Sequence, residues 1–301
     1  MSEKEFHSGF IAIIGRPNVG KSTLINALVG EKIAIVSDKP QTTRNRIMGV
    51  VGGEDWQTVF LDTPGMHTPR TKLGETMMKS VREAMDGIDE LLIVLDANLI
   101  TAKDREILEN ENKRGIKKII ALNKIDLLKK DKLLSVISEL QGFDADEIVP
   151  LSAKTGDGLE ELKTVIRSYL PVGPKYFPDD MLTDQPERLI CAELIREKAL
   201  SHLRDEVPHG IGVEIMGIEK YERADGTVMT EINADVYCER DAHKAIIIGK
   251  KGAMLRTIGE ESRMEIEQLL DSRVNLKLWI KVRPNWRNSV SDLRTLGYGE
   301  K

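Results

Sequence analysis

The sequence predicts a mostly parallel α/β domain followed by a smaller α+β domain. Up to Pro171, short apolar runs alternate with helix-like segments, which is typical of a parallel sheet with helices on both faces. The stretch PVGPKYFPDD then carries three prolines and a glycine, which interrupt helices and strands. Beyond it the pattern becomes helix, two strands, two helices and a strand. We therefore predict a first domain over 1–171, a linker over 172–181 and a second domain over 182–301 that includes a C-terminal tail.

Short apolar runs predict the strands of the first domain. Five of them, FIAII, QTVFLD, LLIVLD, KKIIALN and EIVPLS, are each short enough for a buried strand. In the second domain the helical segment ERLICAELIREKALSHL precedes two strand-like runs that the turn RADG joins, which suits a hairpin. Helices are predicted around Ile246 and over RMEIEQLL. The last run, VNLKLWIKV, alternates strictly and predicts a half-buried strand with a basic outer side.

Composition indicates a soluble, globular chain. Its 301 residues suggest about two domains, and 41% of them are hydrophobic and 31% charged. Cys191 and Cys238 form no CxxC pair, so we expect neither a disulfide framework nor a zinc site. The first residues lack the apolar stretch of a secretory signal, and no run approaches the length that spans a bilayer. We expect a cytoplasmic protein in a reduced compartment.

The net charge of −5 argues against binding nucleic acid by bulk attraction, so any such binding must come from local patches. One patch, Arg240 to Arg256, has five basic residues against one acid. Another, Arg273 to Arg287, has five basic residues and no acid. Both patches fall in the predicted second domain.

The strongest chemical signal is GRPNVGKS, from Gly15 to Ser22, which fits G-x-x-x-x-G-K-[ST] between a predicted strand and a predicted helix. Gly15 and Gly20 let the backbone curl so that its N–H groups surround a phosphate. Lys21 reaches the β- and γ-phosphates, and Ser22 offers a hydroxyl to Mg²⁺. The segment predicts a nucleotide-binding phosphate loop.

A phosphate loop does not determine which nucleotide base is bound. The segment LNKID predicts that specificity. Asp126 follows a predicted strand and can accept hydrogen bonds from the N1–H and the exocyclic amine of guanine, an edge that adenine lacks. A site built this way, around a buried carboxylate, rejects the wrong base by about 10⁴-fold or more. In LSAKTG, the Ala153 N–H is expected to meet guanine O6, while Lys124 and Lys154 lay their stems along the base faces.

Two further segments predict a sensor of the nucleotide state. In FLDTPGMHTPR, Asp62 ends a strand and could hold a water on Mg²⁺, while Gly65 lets its N–H turn toward a γ-phosphate. In KPQTTRNR one of two adjacent threonines could complete the Mg²⁺ shell while the triphosphate is present. Thr43 is preferred over Thr42.

A second glycine-lysine segment, IGKKG, lacks the spacing of the first and lies between two predicted helices. Such a G-x-x-G turn exposes backbone N–H groups to single-stranded nucleic acid, as in KH domains that clamp about four nucleotides. Ile246 to Ile248 are expected to form part of a groove for bases. The predicted RNA-binding residues are Arg240, Lys244, Ile248, Gly249, Lys250, Lys251, Gly252 and Arg256.

Together the motifs GRPNVGKS, QTTR, DTPG, NKID and SAK resemble those of translation-factor-related GTPases, and the C-terminal part resembles the KH domain (type II) of ribosome-assembly members of that class. The resemblance covers nearly the whole chain. It implies a GTP-binding site formed by Gly15, Arg16, Pro17, Asn18, Val19, Gly20, Lys21, Ser22, Thr23, Asp62, Thr63, Pro64, Gly65, Asn123, Lys124, Asp126, Ser152, Ala153 and Lys154. It assigns Mg²⁺ to Ser22, Thr43 and, through water, Asp62.

Met66 departs from the Ras-like pattern, in which a water-orienting glutamine follows DTPG. Relatives with an apolar residue here have a phosphate-loop asparagine that helps to bind potassium, and Asn18 matches it. The resemblance implies slow, potassium-stimulated GTP hydrolysis by charge stabilisation, involving Lys21, Thr43, Asp62, Gly65 and Asn18.

The resemblance also implies the partners. They are GTP or GDP, the 3′ region of small-subunit (16S) ribosomal RNA and the small (30S) subunit, whose maturation the chain would serve as a monomer, with some peripheral association at the inner face of the cell membrane. Two alternatives stay open: a P-loop small-molecule kinase, and an RNA-binding module with an inert nucleotide fold.

Overall fold

A computed structural model describes residues 5–298, except 40–41, 67–68, 112–115, 206, 224–225 and 227. The chain divides into two units. The first contains Met1–Ala34, Thr43–Thr68 and Met77–Asp184, and the second contains Ile35–Thr42, Pro69–Thr76 and Gln185–Lys301. The predicted linker 172–181 therefore belongs to the first unit, where Ser8 Oγ donates to the Pro174 carbonyl at 2.7 Å.

A six-stranded sheet forms the first unit, in the order β2-β3-β1-β4-β5-β6. Every adjacent pair is parallel except β2 with β3, which is antiparallel, so the predicted mostly parallel sheet is confirmed. The strands are β1 (His7–Ile14), β2 (Ile47–Gly52), β3 (Trp56–Asp62), β4 (Glu90–Asp96), β5 (Lys117–Asn123) and β6 (Glu147–Pro150).

Strand β2 is absent from the strands that the sequence predicts, because its segment IMGVVG contains two glycines, which are depleted in strands. Packing explains one of them. A Cβ atom added to Gly49 would lie only 2.9 Å from the Val29 side chain and 3.0 Å from those of Ile25 and Ile33. The close approach of the neighbouring helix therefore favours glycine at this position.

Helices cover both faces of the sheet: α1 (Lys21–Val29), α2 (Lys72–Ala84), α3 (Ala102–Glu111), α4 (Lys130–Leu140) and α5 (Leu159–Tyr169). Alternate residues of β1 enter opposite cores, with Ile11 and Ile13 on one face and Ala12 and Ile14 on the other. Strands buried on both faces need continuous apolar runs, as the sequence shows. The parallel strands end at one edge of the sheet, and the phosphate loop, DTPG, NKID and SAK all follow strands there.

The second unit has a three-stranded sheet in the order β7-β8-β9, in which β7 and β8 are antiparallel and β8 and β9 parallel. Its elements follow the order that type II KH domains show, which confirms that prediction. They are α6 (Glu187–His202), β7 (Gly212–Glu222), β8 (Val228–Cys238), α7 (Asp241–Ile248), α8 (Ala253–Leu270), β9 (Arg273–Val282) and the tail helix α9 (Val290–Thr295). The predicted RADG turn lies partly outside the described residues.

The tail after β9 packs on the second unit through buried aromatic rings. Trp286 is fully buried, and its Nε1 donates to the Gly210 carbonyl at 2.9 Å. Its ring stacks on Tyr298, with centroids 6.1 Å apart. Among the described helices, none combines the length and apolar character that crossing a membrane requires.

Candidate nucleotide site and nucleic-acid interface

Neighbouring atoms lie so close to the backbone at Gly15 and Gly20 that only glycine fits at these two positions of the phosphate loop. Gly15 has φ 149°, and a Cβ atom there would lie 2.5 Å from the Val94 carbonyl oxygen of β4. Gly20 has φ 101°, and its Cβ atom would lie 2.3 Å from Asn123 Nδ2. Because both clashes come on top of a left-handed backbone, neither position accepts a larger residue. Asn18, at φ 66°, is one of the few non-glycine residue types that tolerate this conformation.

Lys21 lies buried against the loop it belongs to. Its Nζ donates to the carbonyl oxygens of Gly15 and Arg16, at 3.1 and 3.2 Å. Burial lowers the pKa of Lys21 to about 8, and the Asp62 carboxylate opposes that shift. The ammonium therefore lies where a phosphate-loop lysine meets the β- and γ-phosphates.

The three residues predicted to hold Mg²⁺ lie together beside this lysine. Ser22 Oγ is 2.7 Å from Thr43 Oγ1 and donates to Asp62 Oδ2 at 3.1 Å. Asp62 is fully buried, and its Oδ1 has no hydrogen-bond partner among the described residues. Burial raises the pKa of Asp62 to about 6, although Lys21 opposes the shift. Two hydroxyls and a carboxylate with a spare oxygen fit a hard, oxygen-seeking cation such as Mg²⁺.

Asn123 joins the three segments of the nucleotide site. Its Nδ2 donates to the Val19 carbonyl at 2.9 Å, and its Oδ1 accepts from the N–H groups of Lys124 and Ala153 at 2.8 and 2.9 Å. Lys124 Nζ bridges back to the Asn18 carbonyl and to the Asp96 carboxylate, both at 2.7 Å. The phosphate loop, NKID and SAK thus form one hydrogen-bonded framework.

This framework bears on the expectation for Ala153. The Ala153 N–H is predicted to point at guanine O6, but here it donates to Asn123 Oδ1. The sequence could not show this, because Ala153 and Asn123 are 30 residues apart and meet only through the folded sheet. To contact a base, the Ala153 N–H would have to donate to Asn123 and the base at the same time, or give up its hydrogen bond to Asn123.

Asp126 is hydrogen-bonded to the segment SAK, which the sequence predicts to form the other wall of the base pocket. Buried Ser152 donates its Oγ to Asp126 Oδ1 at 2.7 Å, which fixes the carboxylate. Asp126 itself is exposed, as is Lys154. The burial on which the expected base discrimination depends would therefore have to come from the base itself.

DTPG packs directly on the phosphate loop. The Met66 N–H donates to the Gly15 carbonyl at 3.2 Å, and Thr63 Oγ1 donates to the Ile13 carbonyl at 2.8 Å. A Cβ atom on Gly65 would lie 2.9 Å from Pro17. The Met66 side chain packs against the core, so it supplies no polar group to orient water. His67 and Thr68 lie outside the described residues.

The side chain of Arg16, a predicted GTP-binding residue, points away from the loop. Its guanidinium pairs with Asp104 and donates to the Leu99 carbonyl at 2.7 Å, so only its backbone contacts Lys21. The sequence motifs did not single out Asp104, although TAKD fits the capping pattern [ST]-x-x-[DE] that begins a helix. Indeed Thr101 Oγ1 donates to Asp104 Oδ2 at 2.7 Å.

In the second unit, the turn between α7 and α8 has three residues with positive φ: Gly249 at 69°, Lys251 at 51° and Gly252 at 78°. A Cβ atom on Gly249 would lie 2.7 Å from that of Met254, whereas one on Gly252 would meet nothing within 4 Å. Lys251 holds its left-handed conformation without being glycine, which costs about 1–2 kcal/mol. Such strain clusters at functional sites.

Beside this turn, a groove of about 370 Å³ runs between α8 and the edge strand β9. Leu255 and Arg256 line it from the helix, and Leu276 and Leu278 from the strand. Of the predicted apolar wall, Ile247 is instead buried in the core and Ile248 packs partly against it, while Ile246 is exposed.

The two basic patches differ in their ionic partners. In the first patch, none of the five cationic side chains forms an ion pair or hydrogen bond among the described residues: Arg240, Lys244, Lys250, Lys251 and Arg256. In the second patch, by contrast, four of the five are paired: Lys277 with Glu231, Lys281 with Asp235, Arg283 with Asp292 and Arg287 with Glu239. The first patch therefore offers far more unpaired charge to a polyanion than the second.

Comparison with known proteins assigns a family to each of the two domains. Residues 10–124 match the family described as 50S ribosome-binding GTPase, and residues 206–287 match the KH domain family. GTPase Era of Ruminiclostridium cellulolyticum is 50% identical over 297 residues, covering 97% of this chain and 98% of that protein. The chain belongs to the GTPase Era family. GTPase Era of Clostridioides difficile strain 630 is 51% identical over 300 residues, covering 98% of this chain and all of that one.

Solved structures of Era share the fold over the full chain. A crystal structure of Era in complex with MgGDPNP and nucleotides 1506–1542 of 16S ribosomal RNA has a TM-score of 0.93 at 40% identity, covering 98% of this chain and 100% of that chain. A variant of Aquifex aeolicus Era bound to GDP·AlF₄⁻ has a TM-score of 0.92 with the same identity and coverage. The chain is thus a GTPase of the Era family with a C-terminal KH domain.

Proposed function

We propose that this chain is a switch that binds GTP with Mg²⁺, hydrolyses it slowly, and binds the 3′ region of 16S ribosomal RNA during maturation of the small subunit. The observation that carries the nucleotide part is the cluster of Ser22, Thr43 and Asp62 beside buried Lys21. Era structures with MgGDPNP and with GDP·AlF₄⁻ support the same ligands. We place the GTPase domain in 1–171 and the KH domain in 182–301, joined by the segment 172–181, which packs on the first unit.

Mg²⁺ would be held by the hydroxyls of Ser22 and Thr43 and, through water, by Asp62. When bound, it neutralises charge that develops on the transferred phosphoryl group. Thr43 and Gly65 would contact the γ-phosphate side of the site only while GTP is present, which makes their two segments sensitive to hydrolysis. Removing Mg²⁺ with a chelator should abolish GTP turnover, and turnover that persists would contradict this assignment.

Hydrolysis would depend on charge stabilisation, because the Met66 side chain packs against the core and offers no base. We propose that Asn18, exposed on the phosphate loop, helps to hold a potassium ion there. Single-turnover GTP hydrolysis measured in KCl and in NaCl tests this. Faster turnover in KCl that Asn18→Ala removes supports the ion site, and equal rates in both salts refute it.

The RNA part is carried by the five cations between Arg240 and Arg256 whose side chains are unpaired among the described residues, of which Arg256 lines the groove. Unpaired lysines and arginines bind phosphates by releasing counterions, and a KH groove holds splayed bases. The Era complex with a 16S fragment supports the choice of RNA, whereas the matched family description names the 50S subunit. Crosslinking in cells decides between them. Small-subunit RNA should be recovered with the native chain and lost when Lys250 and Lys251 are replaced; recovery of large-subunit RNA alone would contradict the proposal.

Cytoplasmic location, a monomeric state and peripheral association with the inner face of the cell membrane complete the proposal. They rest on the resemblance to ribosome-assembly GTPases. Cell fractionation and light scattering test them directly.

A further inference from the structure

Glu260 is an unpaired carboxylate in the wall of the groove. Helix α8 carries four glutamates, and three of them are paired: Glu261 with His202 at 2.8 Å, Glu265 with Lys198, and Glu267 with Arg263 at 2.9 Å. Glu260 is exposed, lines the groove and forms no ion pair or hydrogen bond among the described residues. Glu260 is therefore the one glutamate of α8 whose carboxylate has no partner among the described residues.

The position of Glu260 argues against contact with phosphate. It lies four residues after Arg256 and three before Arg263, so all three lie on one helix face and line the groove. Arg263 is neutralised by both carboxylate oxygens of Glu267, and Arg256 is unpaired. A strand of RNA that passes the turn would place phosphates near Arg256 and the lysines, while Glu260 would repel them. What a carboxylate accepts instead is an N–H donor of a base.

The groove at this point has the shape for a flat ring. A Cβ atom on Gly259 would lie 3.6 Å from Leu278 Cδ1, an ordinary van der Waals distance, so at this point the helix adds no side chain of its own beside the Leu278 side chain of the strand. Leu255, Leu276 and Leu278 provide apolar surface, against which an unstacked base can rest while its Watson–Crick edge stays accessible.

We propose that Glu260 is a specificity-determining residue that accepts hydrogen bonds from the N1–H and the N2 amine of a guanine in single-stranded RNA. This inference rests on the proposed RNA-binding function. Guanine presents two adjacent donors, which match the two carboxylate oxygens. In adenine and cytosine the single amine lies beside a ring nitrogen that is an acceptor, and in uracil the N3–H lies between two carbonyl oxygens. When any of these bases donates to one carboxylate oxygen, its neighbouring lone pair therefore faces the other carboxylate oxygen and repels it.

The test is a selection from single-stranded 12-nucleotide RNA with all positions randomised, using the full chain, Glu260→Gln and, as control, Glu219→Gln. Glu219 is exposed on β7, so its replacement makes the same change in charge outside the groove. The native chain and the control should enrich guanine at one position. Glu260→Gln should lose that preference by about tenfold or more, the usual effect of losing a bidentate base contact.

Inosine, which lacks the N2 amine, gives an independent measurement. Replacing the selected guanosine by inosine should weaken binding to the native chain by roughly threefold to tenfold, as for one lost hydrogen bond, and should leave binding to Glu260→Gln unchanged. The inference is overturned if guanine enrichment survives in Glu260→Gln, or if inosine binds the native chain as well as guanosine. If the native chain binds no RNA, the proposed function falls with it; if it binds RNA without this preference, only the role of Glu260 falls.

Discussion

The Nε–H of Arg16 donates to both carboxylate oxygens of Asp104, at 3.0 and 2.8 Å. Asp104 is fully buried and is oriented by Thr101 at the start of α3. The Arg16 carbonyl in turn accepts from Lys21 Nζ at 3.2 Å. A carboxylate outside every nucleotide motif therefore fixes the backbone of the phosphate loop next to its lysine.

Replacing Asp104 by Asn should loosen the phosphate loop. The Arg16 charge would lose its partner, and a broken buried pair costs about 3–5 kcal/mol in the general case, less here because Arg16 is partly exposed. We expect a lower midpoint of thermal unfolding and weaker GDP binding, measured by scanning and titration calorimetry. The exposed pair Arg105–Glu139 gives the control, since Arg105→Gln should cost less than about 1 kcal/mol. Equal GDP affinity in Asp104→Asn and the native chain would contradict the positioning role.

Replacing Asp126 by Asn should change base selection. An amide offers one donor and one acceptor where the carboxylate offers two acceptors, so guanine loses a hydrogen bond while xanthine, with a carbonyl at C2, gains one. We expect GDP affinity to fall about 100-fold or more and XDP affinity to rise. Competition binding against a fluorescent nucleotide measures both, with the exposed Asp131→Asn as the control. Native protein that bound ADP and GDP equally would refute the base assignment.

The lysines of the turn should govern the salt dependence of RNA binding. Each phosphate contact on single-stranded RNA contributes about 0.7 to the slope of log affinity against log salt concentration. Lys250→Gln and Lys251→Asn should each reduce the slope by about that amount, and asparagine suits the left-handed backbone at 251. Lys277→Gln is the control, because Lys277 already pairs with Glu231. Fluorescence anisotropy over a salt series measures the slopes. If Lys277→Gln changes the slope as much as the turn variants do, the distinction between the patches is wrong.

Glu90 should make the folded state sensitive to pH. Both carboxylate oxygens are buried without a hydrogen-bond partner among the described residues, and burial, aided by the Asp89 carboxylate, raises the pKa of Glu90 from 4.5 to about 8. Between those values the folded state keeps a proton that the unfolded state has lost, so the free energy of unfolding decreases as pH rises and levels off above about 8.

Glu90→Gln removes this titration. We expect the variant to be more stable than the native chain at pH 8 by at least about 1 kcal/mol, with a difference that shrinks toward pH 4.5. Urea unfolding at several pH values measures it. A difference that does not vary with pH would show that Glu90 is ionised in the folded state.

Contiguous motifs by themselves determined much of this protein. Helix and strand periods, the spacing of the phosphate loop and the order of NKID and SAK are local properties of the chain, and the fold class and family they predicted are confirmed. The glycines at 15, 20 and 249 were likewise predictable, because the turns that need them lie within a few residues.

Tertiary structure decided which polar groups remain available. Lys250 and Lys277 carry the same charge in the sequence, but only the β8–β9 register brings Glu231 to Lys277 and neutralises it. Likewise the sequence cannot show that Asn123 accepts a hydrogen bond from the Ala153 N–H or that Asp104 accepts one from Arg16. Hydrogen bonds and ion pairs depend on distances between residues far apart in the chain, and only the packed fold sets those distances.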